Sequence, residues 1–470
     1  MTLKTKARSK FSRAFGKNFQ DSIIIRLLYS RDIVALPSIT KLVVSNIPDG
    51  VVLIKEIEDI VKVFQIANEE KIPVIPRIGA TSGFGGCLPY KKGVVVDLKG
   101  LKQEFSIDLG DLSVTVSSPY VFSDLQRSLN MQGFSLCSYP SSLYSGTIGG
   151  WFAQDGSGIG ALKYGGSLDQ VKEIEVVLPT GEIKKFSDED KLSLFAGSQG
   201  TLGIITKLKL SIKFNTPLSY KACTYDSAKE LVVGLKSLNK LDIFSVWVMN
   251  PKQVALLNST SDYTLPERYL VIVSKEVNYK EEESEFYANF NQTIRENKGQ
   301  ILDDRYIKDI WEHRFRTFSL LKNTKTFLFG EAVIPIDKSD KYIKKIETFF
   351  NNQIQIEGTM ISPEKLSLLF FIKEKDEISS IKTAMLFMKF YKIMKKAVKF
   401  KGYPYTTGLW FSGYYKHIYG NEQLLSYKAY KKSIDPKKIC NPGKVISPRL
   451  KIFPLMKLKI ALKLASEVFG

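Results

Sequence analysis

Histidine and cysteine are scarce in this sequence, and their positions narrow the chemistry that it can support. Two histidines and four cysteines are spread along 470 residues, without a C-x-x-C pair or a run with metal-ligand spacing. This spacing excludes a local redox disulfide, a local iron–sulfur cluster and a zinc site built on histidines. Isolated cysteines also suit a reducing compartment. The residues concerned are His313, His417, Cys87, Cys137, Cys223 and Cys440.

Long apolar runs are also missing. No stretch of about 18 uncharged apolar residues occurs, which is the length that a membrane-spanning helix needs. The basic N-terminal segment is not followed by the apolar region of a secretory signal. These absences predict a cytoplasmic protein.

Acidic residues are outnumbered, with 48 Asp and Glu against 68 Lys and Arg and a formal net charge of +20. This excess favours an anionic partner, although a lysine-rich composition alone also produces it. No nucleic-acid-binding module accompanies the charge, so we expect no nucleic-acid partner. Three basic features could instead dock peripherally at the inner face of a membrane. They are the run 4–17, the tail 454–470, and a helical stripe of Lys389, Lys392, Lys396 and Lys399.

Glycine is concentrated in three stretches, 76–86, 140–169 and 197–206, each next to an apolar, strand-like run. Because glycine weakens helices and strands, such clusters indicate backbone that approaches a ligand closely. No Gly-Lys-Ser/Thr triplet closes any of them, which excludes a P-loop. Residues 156–161 match G-x-G-x-x-A, but their surroundings lack the strand and long helix of a Rossmann motif. The stretches therefore indicate a cradle for a large phosphate-bearing ligand.

The helical and strand-like patterns predict an α+β fold. Short strands and helices extend to about residue 215, and a glycine-poor region of strands and long charged helices follows. From residue 402 the chain is again rich in glycine and aromatic residues. We expect five segments: a basic lead-in (1–32), a ligand-binding domain (33–215), a second α+β domain (216–401), a C-terminal segment (402–450) and a basic amphipathic tail (451–470).

Six motifs occur in a fixed order: 74–82, 93–98, 147–150, 163–165 with 169–171, 200–206, and 435–436 with 441–444. Together they resemble the vanillyl-alcohol oxidase superfamily, and within it the glycolate oxidase/D-lactate dehydrogenase group. The resemblance covers most of the chain. It implies a two-lobed FAD-binding domain of the PCMH type, an α+β cap domain that binds substrate, and a C-terminal segment that returns to the flavin.

The resemblance also implies that the glycine-rich loops bind FAD. Glycine lets backbone N–H groups converge on a pyrophosphate. The first loop would hold the pyrophosphate, the second would follow the ribityl chain and flavin ring, and Ile205 would contact the adenine side. We expect a positive φ angle at Gly79. The implied cofactor residues are Ile78, Gly79, Ala80, Thr81, Ser82, Pro140, Ser141, Gly146, Thr147, Gly149, Gly150, Ile205 and Asn441.

The flavin attachment site of some family members differs here. Where those members have a histidine in the first loop, this chain has Ala80 and Thr81, which predicts non-covalent FAD. Cys137, near the second loop, stays open as an attachment point.

Two histidine-containing stretches, which the family uses to hold a metal or as a base, are replaced. The corresponding residues 359–366 and 406–410 contain no histidine, so we expect no metal. A base must still take the hydroxyl proton of an alcohol substrate. The candidates for this role are His417, Tyr405, Tyr414 and Tyr415. Arg314, in a stretch that resembles the family's Leu-Trp-x-x-Arg, or Arg316 would hold a carboxylate.

These features predict FAD-dependent oxidation of a small 2-hydroxy acid or related alcohol, with hydride transfer to flavin N5. Because the scattered cysteines cannot form a cluster, electrons would pass to an external quinone or iron–sulfur protein. The alternative is a non-catalytic or electron-transferring FAD subunit of a larger redox complex, in which the missing histidines are unnecessary.

Overall fold

Three sheets, of four, six and eight strands, organise the chain. The computed structural model describes residues 5–33, 46–315, 326–374 and 380–446. Helices accompany all three sheets, which confirms the predicted α+β class. The tail 451–470 and Arg316 lie outside the described residues. None of the described helices is long and apolar enough to cross a membrane.

The first sheet is small and partly parallel. Its strands are β1 (Phe19–Gln20), β2 (Gly50–Leu53), β3 (Val74–Arg77) and β4 (Val94–Asp97), in the order β1-β2-β4-β3. β4 runs parallel to both β2 and β3, and all of its residues are buried, as expected of a central parallel strand. The nearby helices are α1 (Thr5–Phe15), α2 (Ile23–Leu28) and α3 (Ile57–Glu70).

The N-terminal segment is more than the basic lead-in that the sequence suggests. Helix α1 buries Ala7, Phe11 and Phe15 in the same core as β4 and the inner face of α3. Its solvent side is tied to α3, where Lys10 Nζ lies 2.6 Å from Glu69 and 2.7 Å from Glu70. Positive charge in this segment is therefore partly neutralised within the fold.

The second sheet is antiparallel and has six strands. These are β5 (Phe105–Asp108), β6 (Ser113–Ser117), β7 (Phe134–Leu136), β8 (Val171–Val177), β9 (Ile183–Phe186) and β10 (Ile204–Phe214). Five follow the order β5-β6-β10-β8-β9, and β7 also pairs with β10. Along β10, buried and partly exposed residues alternate, because one face covers a core. Its helices are α4 (Phe122–Asn130), α5 (Ile148–Ala153), α6 (Ala161–Tyr164), α7 (Ser167–Gln170) and α8 (Glu189–Phe195).

The third sheet has eight strands with antiparallel neighbours, in the order β14-β11-β13-β12-β16-β17-β15-β18. The strands are β11 (Leu218–Tyr225), β12 (Ser245–Met249), β13 (Tyr269–Glu276), β14 (Gln300–Ile301), β15 (Thr326–Pro335), β16 (Gln355–Ser362), β17 (Lys365–Glu374) and β18 (Tyr403–Pro404). The helices are α9 (Ala228–Leu238), α10 (Pro251–Asn258), α11 (Lys280–Glu296), α12 (Ile307–His313), α13 (Ile336–Phe349) and α14 (Ser380–Lys396). The change from the second to the third sheet falls between Phe214 and Leu218; the other segment boundaries stay predictions.

The expected lysine stripe on α14 is largely directed at the protein itself. Lys396 Nζ lies 5.0 Å from the ring centroid of Phe349, and Lys389 Nζ lies 5.8 Å from that of Phe350. Both lysines are only partly exposed, whereas Lys399 is exposed. The stripe therefore offers less free charge than its helical spacing indicates.

The C-terminal segment returns to the first two sheets. Helix α15 (Tyr415–Ile434), kinked at Gly420, buries Tyr427 in the core of the second sheet. The chain then pairs with β3, where Val74 N donates to Ile439 O and Asn441 N donates to Val74 O, both at 2.8 Å. Because β3 leads directly into the first glycine loop, this return brings the C-terminal motif next to it.

Candidate functional site

One large cavity lies between the glycine-rich loops and a face of the eight-stranded sheet. Its empty volume is about 1670 Å³. This volume includes the space that is open to solvent at the mouth of the cavity. Every implied cofactor residue except Asn441 lines it, and so do Arg314 and Tyr405.

The first glycine loop has the geometry of an anion-binding nest. Within the described residues, the backbone N–H groups of Gly79, Ala80 and Thr81 donate no hydrogen bond. Ala80, rather than Gly79, has the positive φ, at 55°. Gly79 is needed for another reason, since a Cβ there would lie 2.9 Å from the carbonyl oxygen of Ser145. The expected positive φ at Gly79 was therefore wrong, but the loop keeps free donors for a phosphate.

The second glycine loop packs tightly against the end of β6. Gly149 N donates to Ser118 O at 3.0 Å, and a side chain at Gly149 would collide with the Ser118 hydroxyl. Ser118 Oγ and Trp151 Nε1 are buried at the cavity wall and have no hydrogen-bond partner among the described residues. Unpaired buried polar groups are costly, so these atoms indicate a polar ligand. Free N–H groups, close-packed glycines and unpaired donors together fit FAD.

The opposite wall consists of alternate residues of the third sheet. In β15, Leu328 and Ala332 point into the helix-covered core, whereas Phe329 and Glu331 line the cavity. The strand register aligns the wall residues of β15, β16 and β17 in rows across the sheet. Ser367 pairs with Thr359, and Leu369 pairs with both Glu331 and Glu357. The wall therefore combines apolar side chains with hydroxyls and two carboxylates.

Arg314 is a buried cation at this wall. It is 2% exposed, and its Nη2 donates to Thr359 Oγ1 at 2.6 Å while Nη1 donates to Ser245 Oγ at 3.3 Å. Its guanidinium carbon lies 4.9 Å from the ring centroid of Trp311 and 5.5 Å from that of Trp247. Burial lowers the pKa of Arg314 to about 10, although the negative charge of Glu357 opposes this. The side chain is thus still cationic at neutral pH.

Glu331 is a residue that the sequence interpretation missed. Its carboxylate accepts a 2.8 Å hydrogen bond from Ser367 Oγ. Burial raises the pKa of Glu331 to about 7, and the Ser367 bond only partly opposes the rise. A usable signal was present, because Glu331 is the single charged residue inside the apolar run 327–334 of β15.

Tyr405 lines the cavity, but its hydroxyl already has two partners. It accepts from Ser157 N at 2.8 Å and donates to Ser157 O at 3.3 Å. Burial, followed by the charge of Glu331, raises the pKa of Tyr405. A phenol with a raised pKa keeps its proton at neutral pH, and the Tyr405 hydroxyl already donates that proton to Ser157 O, so Tyr405 does not suit the role of a base. Its two hydrogen bonds instead hold the second glycine-rich stretch against the sheet.

His417 is not brought to the cavity. It lies exposed on α15, where its ring packs 5.5 Å from the ring centroid of Tyr414, and it is not a lining residue. Tyr414 and Tyr415 are not lining residues either. The prediction that His417 is the base therefore does not agree with this geometry, because a base must reach the substrate through a hydrogen bond or one water.

Asn441 lies behind the cavity wall. Its Nδ2 donates to Gly86 O at 2.9 Å and to Gln199 O at 2.6 Å, which joins the first and third glycine-rich stretches. The side chain is 1% exposed and does not line the cavity. The side chain thus holds together two loops that line the cavity, and its contact with the cofactor stays a prediction.

Cysteines and metal-type ligands make a limited contribution to the site. Among the described residues, no group of three or more His, Cys, Asp or Glu side chains could hold a metal ion. Cys87 lines the cavity, whereas Cys137 does not and is buried elsewhere, with a pKa that burial raises to about 11. Cys137 is therefore poorly placed for flavin attachment.

Two family models match the chain. The first, described as an FAD binding domain, matches residues 48–187. The second, described as the C-terminal domain of FAD linked oxidases, matches residues 218–445. The first match contains the first and second glycine loops of the cavity, and the second contains the sheet face with Arg314 and Glu331.

Curated relatives match over part of their length. The glycolate oxidase subunit GlcD of Bacillus subtilis is 34% identical over 199 residues, which are 41% of this chain and 41% of the relative. The mitochondrial D-lactate dehydrogenase [cytochrome] of Arabidopsis thaliana is 30% identical over 235 residues, covering 47% of this chain and 41% of the relative. The chain thus matches 41% of the length of each of these relatives.

Solved structures show the same fold over nearly the whole chain. A structure of p-cresol methylhydroxylase superposes with a TM-score of 0.74 at 16% identity, covering 94% of this chain and 96% of that one. An alkyldihydroxyacetonephosphate synthase gives 0.75 at 19%, covering 94% and 85%. These identities show the fold alone. With its FAD-binding domain and FAD-linked oxidase C-terminal domain, this chain belongs to the FAD-linked oxidoreductases, with FAD as its cofactor.

Proposed function

We propose that this protein oxidises a small 2-hydroxy acid or a related alcohol. The observation that supports this most directly is Arg314, a buried guanidinium in the same cavity as the glycine loops. A guanidinium presents five N–H donors in a planar fork, and Arg314 donates to the hydroxyls of Thr359 and Ser245 among its partners. A substrate carboxylate is the planar, bidentate acceptor that arginine suits.

The wall of glycine-rich loops would bind the cofactor, and the opposite wall, formed by the third sheet, would bind the substrate. Bound FAD supplies the two-electron acceptor for the oxidation. The first glycine loop binds its pyrophosphate, and the second keeps the sheet at a fixed distance through the Tyr405–Ser157 hydrogen bonds. Arg314 orients the acid. Phe329 and Leu369 exclude water from the space beside it.

The names of the relatives agree with this substrate class. A glycolate oxidase subunit and a D-lactate dehydrogenase are named for 2-hydroxy acids, and both match the chain at 30% identity or more. The alternative, a non-catalytic or electron-transferring FAD subunit, has no observation in its favour among the described residues. A buried arginine at the cavity would have no evident use in such a subunit.

An anaerobic titration tests the proposal. We expect glycolate, lactate or a longer 2-hydroxy acid to bleach the flavin absorbance of the purified holoenzyme. A panel of 2-hydroxy acids, alcohols and lactones that leaves the oxidised spectrum unchanged would contradict it. We also propose that the FAD is non-covalent, since Ala80 and Thr81 offer no attachment group. Acid precipitation of the same sample should then release all of the flavin from the polypeptide.

We further propose that the electrons leave to an external quinone or iron–sulfur protein, in the cytoplasm or at the inner membrane surface. All four cysteines are free and separate, so they provide no cluster. The tail 451–470 combines four lysines with many apolar residues, a composition that suits binding to a membrane surface. Deleting it should reduce flotation with anionic liposomes, and equal flotation of both chains would rule out the tail as an anchor.

A further inference from the structure

We propose that Glu331 is the general base that takes the proton from the substrate hydroxyl. The inference deepens the proposed oxidation and rests on it. An alcohol cannot lose a hydride easily while its oxygen keeps its proton, so the site needs an acceptor within hydrogen-bond reach. Neither His417, which is exposed outside the cavity, nor Tyr405, whose hydroxyl is bonded to Ser157, can serve in this position.

The lining residues leave few other acceptors. Besides Tyr405, the titratable lining side chains are Arg77, Arg314, Cys87, Glu331 and Glu357. The two arginines are cations, and burial raises the pKa of the Cys87 thiol. The negative charge of Glu357 acts on Arg314 and raises the pKa of the arginine, and a proton taken up by Glu357 would weaken that attraction. Glu331 remains as the carboxyl that can gain and lose a proton near neutral pH.

The position of Glu331 suits the role. It shares the strand face with Phe329 and pairs with Leu369 of β17, so its side chain lies on the cavity face of β15. Leu369 separates it from Glu357, at two strand spacings or roughly 10 Å. In the proposed arrangement, an acid bound to Arg314 has its hydroxyl-bearing carbon on the side of Glu331.

The chemical step balances with residues and cofactor already named. The O–H bond of the substrate breaks, and its proton forms a bond to a carboxylate oxygen of Glu331. The C–H bond breaks with its electron pair, for which bound FAD would supply the two-electron acceptor. The carbon–oxygen single bond becomes a carbonyl, so a 2-hydroxy acid gives a 2-oxo acid. Glu331 then returns its proton to solvent.

The surroundings of Glu331 set its pH behaviour. Titratable groups on the neighbouring elements are Glu357, Arg314, Tyr403, Tyr405 and Asp155. Within the described residues Glu331 has no ion pair, and Ser367 is its hydrogen-bond donor. Burial raises its pKa to about 7, so the ionised, basic form accumulates above that pH. The rate of flavin reduction should therefore rise with pH through about 7 and then level off.

Rapid mixing of holoenzyme with the best acid of the panel, without oxygen, tests the assignment. Glu331→Gln keeps the size and the Ser367 contact but cannot take a proton, so flavin reduction should slow by about 100- to 10,000-fold. Ser367→Ala removes the bond that lowers the pKa of Glu331, so the midpoint of the pH–rate curve should move upward. His417→Gln is the control, and its rate should equal that of the wild type.

Binding of the oxidised product gives a second readout without turnover. The probe is the 2-oxo acid of the best substrate, pyruvate if that substrate is lactate, followed by perturbation of the flavin spectrum. Protonated Glu331 donates to the carbonyl, whereas the ionised form repels the anion. Wild-type affinity should therefore fall above pH 7 by up to about tenfold per pH unit, and Glu331→Gln should show no such fall.

The outcomes separate the two proposals. Wild-type bleaching with an equally fast Glu331→Gln variant would overturn the role of Glu331 and leave the oxidation intact. An identical pH dependence of 2-oxo acid binding in both proteins would also overturn that role. If no panel member bleaches the wild type, the proposed oxidation fails, and the assignment of Glu331 fails with it.

Discussion

Arg314 shows how a single buried charge can define a site. Its helix, α12, ends at His313, so the guanidinium projects from the first residue after the helix and lies between Trp247 and Trp311. Two neutral hydroxyls orient it, and Glu357 supplies negative charge nearby. This arrangement fixes the orientation of the Arg314 guanidinium before the ligand binds, which reduces the entropy lost on binding.

Replacing Arg314 should weaken acids selectively. A hydrogen bond to a charged group contributes about 1.5–3 kcal/mol, so Arg314→Ala should raise the KM for a 2-hydroxy acid by roughly 10- to 150-fold. Arg314→Lys should recover only part of this, because an ammonium lacks the planar fork. Arg305→Ala is a matched control, since Arg305 is exposed and pairs with the adjacent Asp303. An unchanged KM for every acid tested would remove the carboxylate role.

At the scale of single elements, the first glycine loop illustrates how a short segment is held in place. It begins where β3 ends, Ala80 takes the positive φ, and Gly79 allows the second loop to approach. Non-glycine residues with a positive φ are uncommon, and they concentrate where function needs the conformation. The loop therefore depends on its neighbour as much as on its own sequence.

Gly79→Val should abolish FAD binding. The new Cβ would lie 2.9 Å from Ser145 O, a backbone atom that cannot move without displacing the second loop. We expect purified Gly79→Val to contain less than about a tenth of the wild-type flavin, measured as the ratio of flavin to protein absorbance. Gly110→Val is the control, because Gly110 is exposed, has no positive φ and lies outside the cavity. Full flavin content in Gly79→Val would show that the loops can separate without loss of the site.

At the scale of the whole molecule, segments far apart in sequence close the FAD-binding region. Helix α1 adds its aromatic face to the core of the first sheet. The C-terminal segment pairs with β3, and Asn441 then joins the loops that contain Gly86 and Gln199. Both described ends of the chain therefore pack against the FAD-binding region, and cofactor binding should depend on them.

Phe11→Ala tests the contribution of the N-terminal helix. Phe11 is fully buried, and its ring stacks on Phe15 and Phe19 with centroid distances of 6.1 and 5.6 Å. Removing a buried phenylalanine side chain typically costs about 3–5 kcal/mol, so urea should unfold the variant at a clearly lower concentration. Arg13→Ala, on the exposed side of α1, should stay within about 0.5 kcal/mol of the wild type. If the urea midpoints of Phe11→Ala and Arg13→Ala both equal that of the wild type, helix α1 is dispensable for the stability of the fold.

Residue type and spacing were enough to predict the features that lie in short contiguous stretches. The glycine loops and the strands beside them are local, so a cradle for a phosphate-bearing ligand and the α+β class could be predicted. FAD as that ligand, its non-covalent binding and Arg314 as a carboxylate-binding residue were implied by the resemblance, whose motifs are also local.

Which distant side chains meet depends on the tertiary fold. Glu331 reaches the cavity because β15 lies between β17 and β18 and turns that residue away from the helix-covered core. His417 is left outside by the direction of α15, and Asn441 ends behind the wall because its backbone pairs with β3. Strand order, register and helix direction depend on packing between remote segments, and a local pattern does not contain that information.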